Sequence, residues 1–586
     1  MKAISFMLFF AGVLACIAGA LAYWSTGDGA AWWIDQALRA GVTQRWLLTP
    51  STSAAKIVGG CGFALVVLGM ALDRKRPVES TSHGSAAFAT TRHLRSLGYS
   101  EASVRPLRRL GVALGMAQYP RRPGVIACQE VEAVVDVRLN YETGKLGRFV
   151  RKTAPRVLIR EDHVAVVGPP GAGKDQFVAL PNLYYYPGAV VVTDPKGDQY
   201  DATAGARSVF SHVLRFAPTE QHSDRFNPLC VIPLGTPEEV GEAERISNAL
   251  LGVLKDEKDA SMFYAVAAQP LLTAAILYVL HNGKGAERSL PGALRLITGN
   301  DKPLDAVARI CGGLPQSAAE LRDSLARLAQ DKRTLESMFT TCANALSFCR
   351  NVAVASAISE SDFVPTDLYN RAAPASLYLV LPFKDSDQLR PLMRLVINVL
   401  VSSHGAGERR HNTLYLLNEF PSLGAIPAIP RAAAEIRSFG VQFCLFWQSN
   451  QQILATYGRE LGNAIFDMCK GRVFIGLTGD DATTAVSELA GKTTLTKERK
   501  TKAVSRKSFF ERTETHTEGS ADQARELLTA NEVRKLAPDK VLVSLPYSDL
   551  YIGKATPAYS DPRYALAFKT PAPQTYRAQP ASRRAA

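Results

Sequence analysis

The segment Gly168-Pro169-Pro170-Gly171-Ala172-Gly173-Lys174 limits what this chain can fold into more than any other. It follows His163-Val164-Ala165-Val166-Val167, a short β-branched run with the character of a buried strand, and precedes a segment able to open a helix. A G-x-x-x-x-G-K pattern between strand and helix is a phosphate-binding loop. Its glycines let backbone N–H groups close around a phosphate, and Lys174 adds a point charge between the β- and γ-phosphates. Amides at the start of the following helix extend the anion site. The expected nucleotide-contacting residues are Gly168, Pro169, Pro170, Gly171, Ala172, Gly173, Lys174, Asp175 and Gln176. Position 175 departs from the pattern: a Ser or Thr hydroxyl normally follows the lysine and binds Mg²⁺. The Asp175 carboxylate can bind the metal as well, but it brings negative charge close to the phosphates.

Two further apolar runs end in acids. Ala189-Val190-Val191-Val192-Thr193 leads to Asp194-Pro195-Lys196-Gly197-Asp198, and Leu414-Tyr415-Leu416-Leu417 leads to Asn418-Glu419-Phe420-Pro421. Ligand contacts in open α/β sheets gather at such strand ends. An ATPase commonly ends the second strand in Asp-Glu, the Asp serving the Mg²⁺ shell and the Glu orienting or deprotonating the attacking water. Glu419 fits the water-activating place, and Asn418 replaces the usual Asp with a neutral amide. Asp175, Asn418 and Asp194 are therefore the expected metal contacts. A third run, Val441-Gln442-Phe443-Cys444-Leu445-Phe446-Trp447, ends at Gln448, placed to read the γ-phosphate. Glu419, Lys174 and Gln448 form the expected catalytic set. A strand-end acid or glutamine in an ordinary turn is the competing reading of each position taken alone.

The amino-terminal region carries two apolar segments. Ala3 to Gly27 has no charged residue, and Ile4 to Trp24 approaches the ~20 residues a helix needs to cross a bilayer. A cleaved signal peptide is the alternative, with Ala15, Ala18, Ala20 and Ala22 able to supply the small residues. Ile57 to Leu72 is a second uncharged stretch, followed at once by Asp73-Arg74-Lys75-Arg76, and basic residues favour the cytoplasmic side. Trp24, Trp32, Trp33 and Trp46 suit an interfacial belt. The implied topology is multi-pass, with a large cytoplasmic part. Ala265 to Leu280 is also apolar, but its neighbours are polar helices, which predicts a buried core helix.

Across its 586 residues the chain holds 68 Lys+Arg against 54 Asp+Glu, a net charge of +14. That excess favours phosphate or anionic lipid as a partner and does not bear on fold. Nine cysteines are scattered through apolar stretches without a C-x-x-C, which argues for buried thiols in a reducing compartment rather than a zinc site or disulfide framework.

In order along the chain, these segments resemble the TraG/TraD-like type IV secretion coupling proteins. The resemblance rests on the two apolar spans, His83-Gly84-Ser85-Ala86, the Gly168 to Lys174 loop, Asp194 to Asp198 and Phe226-Asn227-Pro228-Leu229. It continues through Asn418 to Gly424, Gln448 to Arg459, and Glu488-Leu489-Ala490-Gly491-Lys492-Thr493-Thr494. It implies an α/β fold: a RecA-like P-loop nucleotide-binding domain with an inserted all-α domain and two N-terminal transmembrane helices. It also implies ATP and Mg²⁺ as cofactors, a homo-hexameric ring in the bacterial inner membrane, and contact with membrane lipid and the other inner-membrane and ATPase components of the secretion system. The cargo it implies is a relaxase–DNA complex, DNA, effector proteins, or a combination.

The expected organisation is a membrane anchor at 1–76, the first part of the nucleotide-binding domain at 77–236 and an all-α domain at 237–355. The second part of the nucleotide-binding domain at 356–569 and a disordered tail at 570–586 complete it. Helical spacing runs through Glu242–Leu254, Met262–Val279 and Ala318–Thr340. Leu377 to Leu381 resumes the sheet. Arg390 and Arg394 follow on a helix, either as solvated surface or as an arginine finger for a neighbouring subunit. The stretch from Lys497 to Lys507 is expected as a basic loop, facing DNA or merely solvated. Three functions fit: an ATP-driven coupling protein, a substrate-docking receptor with little hydrolysis (motivated by Asp175 and Asn418), and a DNA pump of the FtsK type, whose extra spans and DNA-reading module find no counterpart here.

Overall fold

Five short runs buried at every position form the centre of the sheet, and their uniform burial follows from being covered on both faces. The computed structural model describes residues 86–90, 93–94, 97 and 124–573, less 130–134, 140–145, 151–155, 161, 253–259, 406–407, 509–510, 562–563 and 565–566. Both expected membrane segments lie outside the described residues.

The strands are β1 (Gly124–Gln129), β2 (Val135–Leu139), β3 (Leu146–Val150), β4 (Arg156–Arg160), β5 (Val164–Val167), β6 (Ala189–Asp194), β7 (His212–Phe216), β8 (Ala375–Val380), β9 (Thr413–Leu417), β10 (Val441–Trp447), β11 (Gly471–Ile475), β12 (Lys492–Ser508), β13 (Glu511–Glu526), β14 (Lys540–Ser544) and β15 (Tyr551–Lys554). Eleven of them make one sheet in the order β4-β1-β15-β14-β11-β5-β10-β9-β6-β8-β7. From β11 to β7 all neighbours are parallel. On the other side β14, β15, β1 and β4 add an antiparallel flank.

Strand periodicity divides the core in two. Ala165, Val167, Val191, Leu377, Tyr415, Leu417, Phe443 and Leu445 face one cluster. Val164, Val166, Val190, Val192, Leu414, Leu416, Cys444 and Phe446 face the other. Each buried Val or Leu contributes about 1.5–3 kcal/mol of transfer free energy. A one-residue slip would therefore exchange the two faces of every central strand.

Between β5 and β7 lie helices α1 (Leu180–Tyr185) and α2 (Asp198–Ser208). Arg207 of α2 is fully buried and donates to Leu183 O, Tyr186 O, Gly188 O and Ser376 Oγ, which ties α2 to the ends of α1, β6 and β8.

The chain between β7 and β8 is helical. It forms α3 (Glu239–Leu251), α4 (Ala260–Asn282), α5 (Leu290–Ile297), α6 (Pro303–Gly312), α7 (Ala319–Leu328), α8 (Lys332–Ala345) and α9 (Val352–Ala357). The helical stretch expected over 318–340 is broken in two, because Asp331 accepts from the Arg333 and Thr334 amides and starts a new helix. Helix α4 is long and apolar enough to cross a bilayer, with mean hydropathy 1.8 over Phe263–Asn282. Its middle, from Ala268 to Leu280, is instead packed within the protein interior, with Leu271, Leu272 and Ala274 to Leu277 fully buried. After β8 comes α10 (Ser386–Ser402).

Residues 494–525 belong to a separate compact unit. There β12 and β13 pair as a two-stranded ribbon, so the stretch from Lys497 to Lys507 is a strand and not the expected loop. At the carboxyl end, the first residues of the expected tail pack on α2: Tyr200 Oη donates to Pro573 O at 3.2 Å, and the Thr570 and Pro571 carbonyls close on Gly205. Residues 574–586 lie outside the described residues.

One buried group gives the fold a pH signature. His404 is 2% exposed, packs tilted against Tyr369 at 4.8 Å between ring centroids, and shares a 2.8 Å hydrogen bond with Tyr415 Oη. Burial, with Arg409 nearby, pushes the imidazole from its ordinary 6.5 down to about 3. The unfolded chain therefore binds a proton between those values that the folded chain does not, and stability falls as pH drops through that window. Between pH 7 and pH 5 His404→Gln should lose about 2 kcal/mol less stability than the parent. The check is thermal melting of both proteins at the two pH values, and equal losses would contradict the assignment.

Candidate active site

The expected site residues converge at the carboxyl ends of adjacent strands. Strand order places β5, β10, β9 and β6 side by side, so the loop after β5, Gln448 after β10, Asn418-Glu419 after β9 and Asp194 at the end of β6 share one rim.

The loop after β5 is tied down where it begins: Gly168 N donates to Trp447 O at 3.2 Å. A Cβ at 168 would lie 2.5 Å from Ile475 O, so the close passage past β11 requires glycine. Gly171 and Gly173 have φ of 77° and 83°, the left-handed region that side chains disfavour. Lys174 curls back into the loop and donates Nζ to Gly168 O at 2.7 Å and Pro169 O at 3.2 Å. It is 9% exposed, and burial lowers its pKa against the opposing pull of Glu419 and Asp175. Glu419 and Lys174 thus lie within each other's electrostatic reach.

The expected helix start after the lysine is a wider turn. Asp175–Ala179 forms one π-helical turn before α1. Pro181 sits in the first turn of α1 and lacks the N–H that would close an α-turn onto Phe177. π-Turns of this kind concentrate at functional sites.

Glu419 is one of two non-glycine residues at positive φ among the described residues, with φ 48° and ψ 44°. Ser422 stabilises this turn by donating both its amide and its hydroxyl to Glu419 O at 2.8 and 2.7 Å. Gln448 Nε2 donates to Glu419 Oε2 at 3.1 Å, so the expected sensor and the expected water-activating carboxylate are in contact. The backbone amide of Gln448 is held in turn by Gln452 Oε1 at 3.1 Å. Asn418 is 5% exposed, donates Nδ2 to Thr193 O at 3.1 Å, and leaves Oδ1 buried without a partner. Gln176 likewise has its Oε1 buried without a partner.

Asp194, also expected among the metal contacts, is 2% exposed and turned onto its own loop. Its Oδ2 accepts from the Tyr200 amide at 2.8 Å, and the Lys196, Gly197 and Gln199 amides lie near enough to act on the carboxylate. Burial pushes its pKa up to about 6, with those amides opposing the shift. Asp194 therefore caps the start of α2, an anion at a helix N-terminus. Arg394 turns inward, donating to Leu250 O at 3.0 Å at the end of α3. Arg390 pairs with Asp387 at 2.5 Å.

Sequence reasoning missed Gln199. It stands in the first turn of α2, 5% exposed, and its Nε2 donates to Asp175 Oδ1 at 3.4 Å.

The donors suit a triphosphate and a hard cation. The loop amides and Lys174 match phosphate oxygens. Among the described residues no three His, Cys, Asp or Glu side chains gather around a common point. Mg²⁺ does not need such a cage, since it takes one or two protein oxygens and completes its shell with phosphate and water. Asp175 and the orphaned Asn418 Oδ1 are of that kind.

Comparison with known proteins agrees with this geometry. The chain is 27% identical over 452 residues to the conjugal transfer protein TraG of Escherichia coli, covering 70% of each chain. It is 28% identical over 394 residues to the protein VirD4 of Rhizobium radiobacter, covering 65% of this chain and 55% of VirD4. Its fold is that of the plasmid coupling protein TrwB. In complex with ADP and Mg²⁺, TrwB superposes with a TM-score of 0.51 at 16% identity, over 68% of this chain and 85% of TrwB. In complex with a non-hydrolysable ATP analogue the TM-score is 0.53 at 15% identity, over 76% and 97%. Residues 120–578 match the family model for type IV secretory system conjugative DNA transfer. From the phosphate loop to the last strand of its sheet, then, this chain belongs to the type IV secretory system conjugative DNA transfer family.

Proposed function

We propose that this protein is the inner-membrane coupling ATPase of a type IV secretion system, using ATP to deliver DNA–relaxase complexes, effector proteins, or both to the secretion channel. The observation that carries the reading is the joining of Lys174, Glu419 and Gln448 at one rim from the tips of three different strands. ATP binds with its triphosphate in the Gly168–Lys174 loop, contacting Pro169, Pro170, Gly171, Ala172, Gly173, Asp175 and Gln176. Glu419, oriented by Gln448, accepts a proton from the water that attacks the γ-phosphate. Asp175 and Asn418 would hold Mg²⁺, which would supply positive charge to offset the charge developing on the phosphate.

The RecA-like core is proposed to work as a homo-hexamer, anchored by residues 1–76 in the bacterial inner membrane beside other components of the secretion system. The helices between β7 and β8 are proposed as the all-α domain that receives cargo. The net charge of +14 supports DNA among its partners.

Full-length protein in detergent should hydrolyse ATP, and Lys174→Ala should not. Equal turnover by the two would refute the motor reading. Purification from cells should bring down relaxase or effector proteins, identified by mass spectrometry; their absence from a preparation active as an ATPase would refute the coupling role. The second reading, a docking receptor that hydrolyses little, draws on Asp175 and Asn418. It requires a chain that retains its cargo while turning over no ATP.

A further inference from the structure

Two positions at this site carry each other's chemistry. A phosphate-loop ATPase places a neutral hydroxyl after the loop lysine and a carboxylate at the tip of the strand bearing the water-activating residue, both serving the metal shell. Here the carboxylate follows the lysine, as Asp175, and the neutral side chain ends β9, as Asn418. The departures cancel in charge, leaving one carboxylate for the cation in either arrangement.

The surroundings fit the exchanged roles. Asp175 is exposed on the loop, and Gln199 reaches it from α2 with an Nε2 to Oδ1 distance of 3.4 Å. Gln199 is 5% exposed, and with its nitrogen turned to Asp175 its Oε1 is buried without a partner. Asn418 is also 5% exposed; its Nδ2 is committed to Thr193 O, which fixes the amide and leaves Oδ1 unpartnered. Buried acceptors are rarely left unpaired, and each such case calls for a reason. One carboxylate and two orphaned amide oxygens are hard donors that become a complete shell only with phosphate and water.

We infer that the metal-holding carboxylate of this protein has moved from the strand tip to the phosphate loop. Asp175, steadied by Gln199, holds the cation of the bound nucleotide, and Asn418 Oδ1 accepts from its water shell. The inference rests on the nucleotide-site reading above and turns two apparent defects into a compensating pair. Changing one position alone removes the carboxylate, and changing both restores it in the other place.

The test is ADP binding by full-length protein in detergent, measured by calorimetry with Mn²⁺ and with metal chelated, alongside the Mn²⁺ electron paramagnetic resonance spectrum. The parent should bind ADP about tenfold or more tighter with Mn²⁺ than without. Asp175→Thr, and the isosteric Asp175→Asn, should reduce that gain to about twofold, while metal-free ADP binding is retained or tightened because a negative charge leaves the phosphates. Adding Asn418→Asp to Asp175→Thr should recover the gain and the protein-bound Mn²⁺ signal. A full metal gain in both Asp175 variants overturns the inference, as does a double variant that binds ADP but recovers nothing. A parent chain that binds no ADP under either condition overturns instead the nucleotide-site reading on which it rests.

Discussion

Lys174→Ala should bind ATP at least ~100-fold more weakly than the parent and show no measurable turnover. A charge-assisted hydrogen bond to phosphate contributes about 1.5–3 kcal/mol, and a lysine placed between two phosphates makes at least two, so about 3 kcal/mol or more is lost. The fold should survive. The Nζ group lies against Gly168 O and Pro169 O, at the mouth of the loop and not in either apolar core, so its removal costs about 1 kcal/mol of stability. Binding of a fluorescent nucleotide, paired with a melting curve, separates the two effects. A variant that melts like the parent and still binds ATP at parental affinity would contradict the role given to the loop.

Glu419 should give an effect of similar size with a different signature. Glu419→Gln keeps the shape and the contact with Gln448 but removes the base, so turnover should fall by about 10²–10⁴ while ATP affinity stays within about threefold. A more diagnostic variant is Glu419→Gly. The backbone at 419 has φ 48° and ψ 44°, a conformation that costs a non-glycine residue about 1 kcal/mol. Glycine adopts it freely, so Glu419→Gly should be inactive and yet melt no lower than the parent, and higher by up to about 1 kcal/mol. Loss of activity without loss of stability is what a strained catalytic position gives. Loss of both together would mean that Glu419 is structural.

The parallel centre of the fold was legible because its strands are covered on both faces. Val441–Trp447 and Ala189–Thr193 are apolar at nearly every position, and the sheet uses them within a residue of where the sequence marks them. The antiparallel flank was not. Strands such as β15, with burial alternating along its length, and β1 carry short mixed patterns, and the two pair although they lie far apart in the chain, Gln129 opposite Lys554. The break at Asp331 went unseen because the apolar spacing continues across it; a helix cap is a local hydrogen-bond event and leaves periodicity intact. At the site, the loop and Glu419 were readable because their residue types sit at fixed spacings. Asp194 was read as a metal contact, and its second role, accepting from the Tyr200 amide at the start of α2, shows only in the hydrogen bonds. Gln199 carried no motif at all; only the folding of α2 against the loop brings it to Asp175.

The chain leaves the sheet after Phe216 on the outermost strand, β7, and returns at Ala375 on the strand beside it, with His212 opposite Ala375 in register. Every described residue between is helical or loop, and three strands, β10, β9 and β6, separate that pair from the one feeding the phosphate loop. Such an excursion at the margin behaves as an interchangeable cassette. On the reading proposed above, in which these helices receive cargo, their preference can change without re-aligning the strand-tip site, provided the exchanged segment keeps a helix end whose carbonyl meets the guanidinium of Arg394.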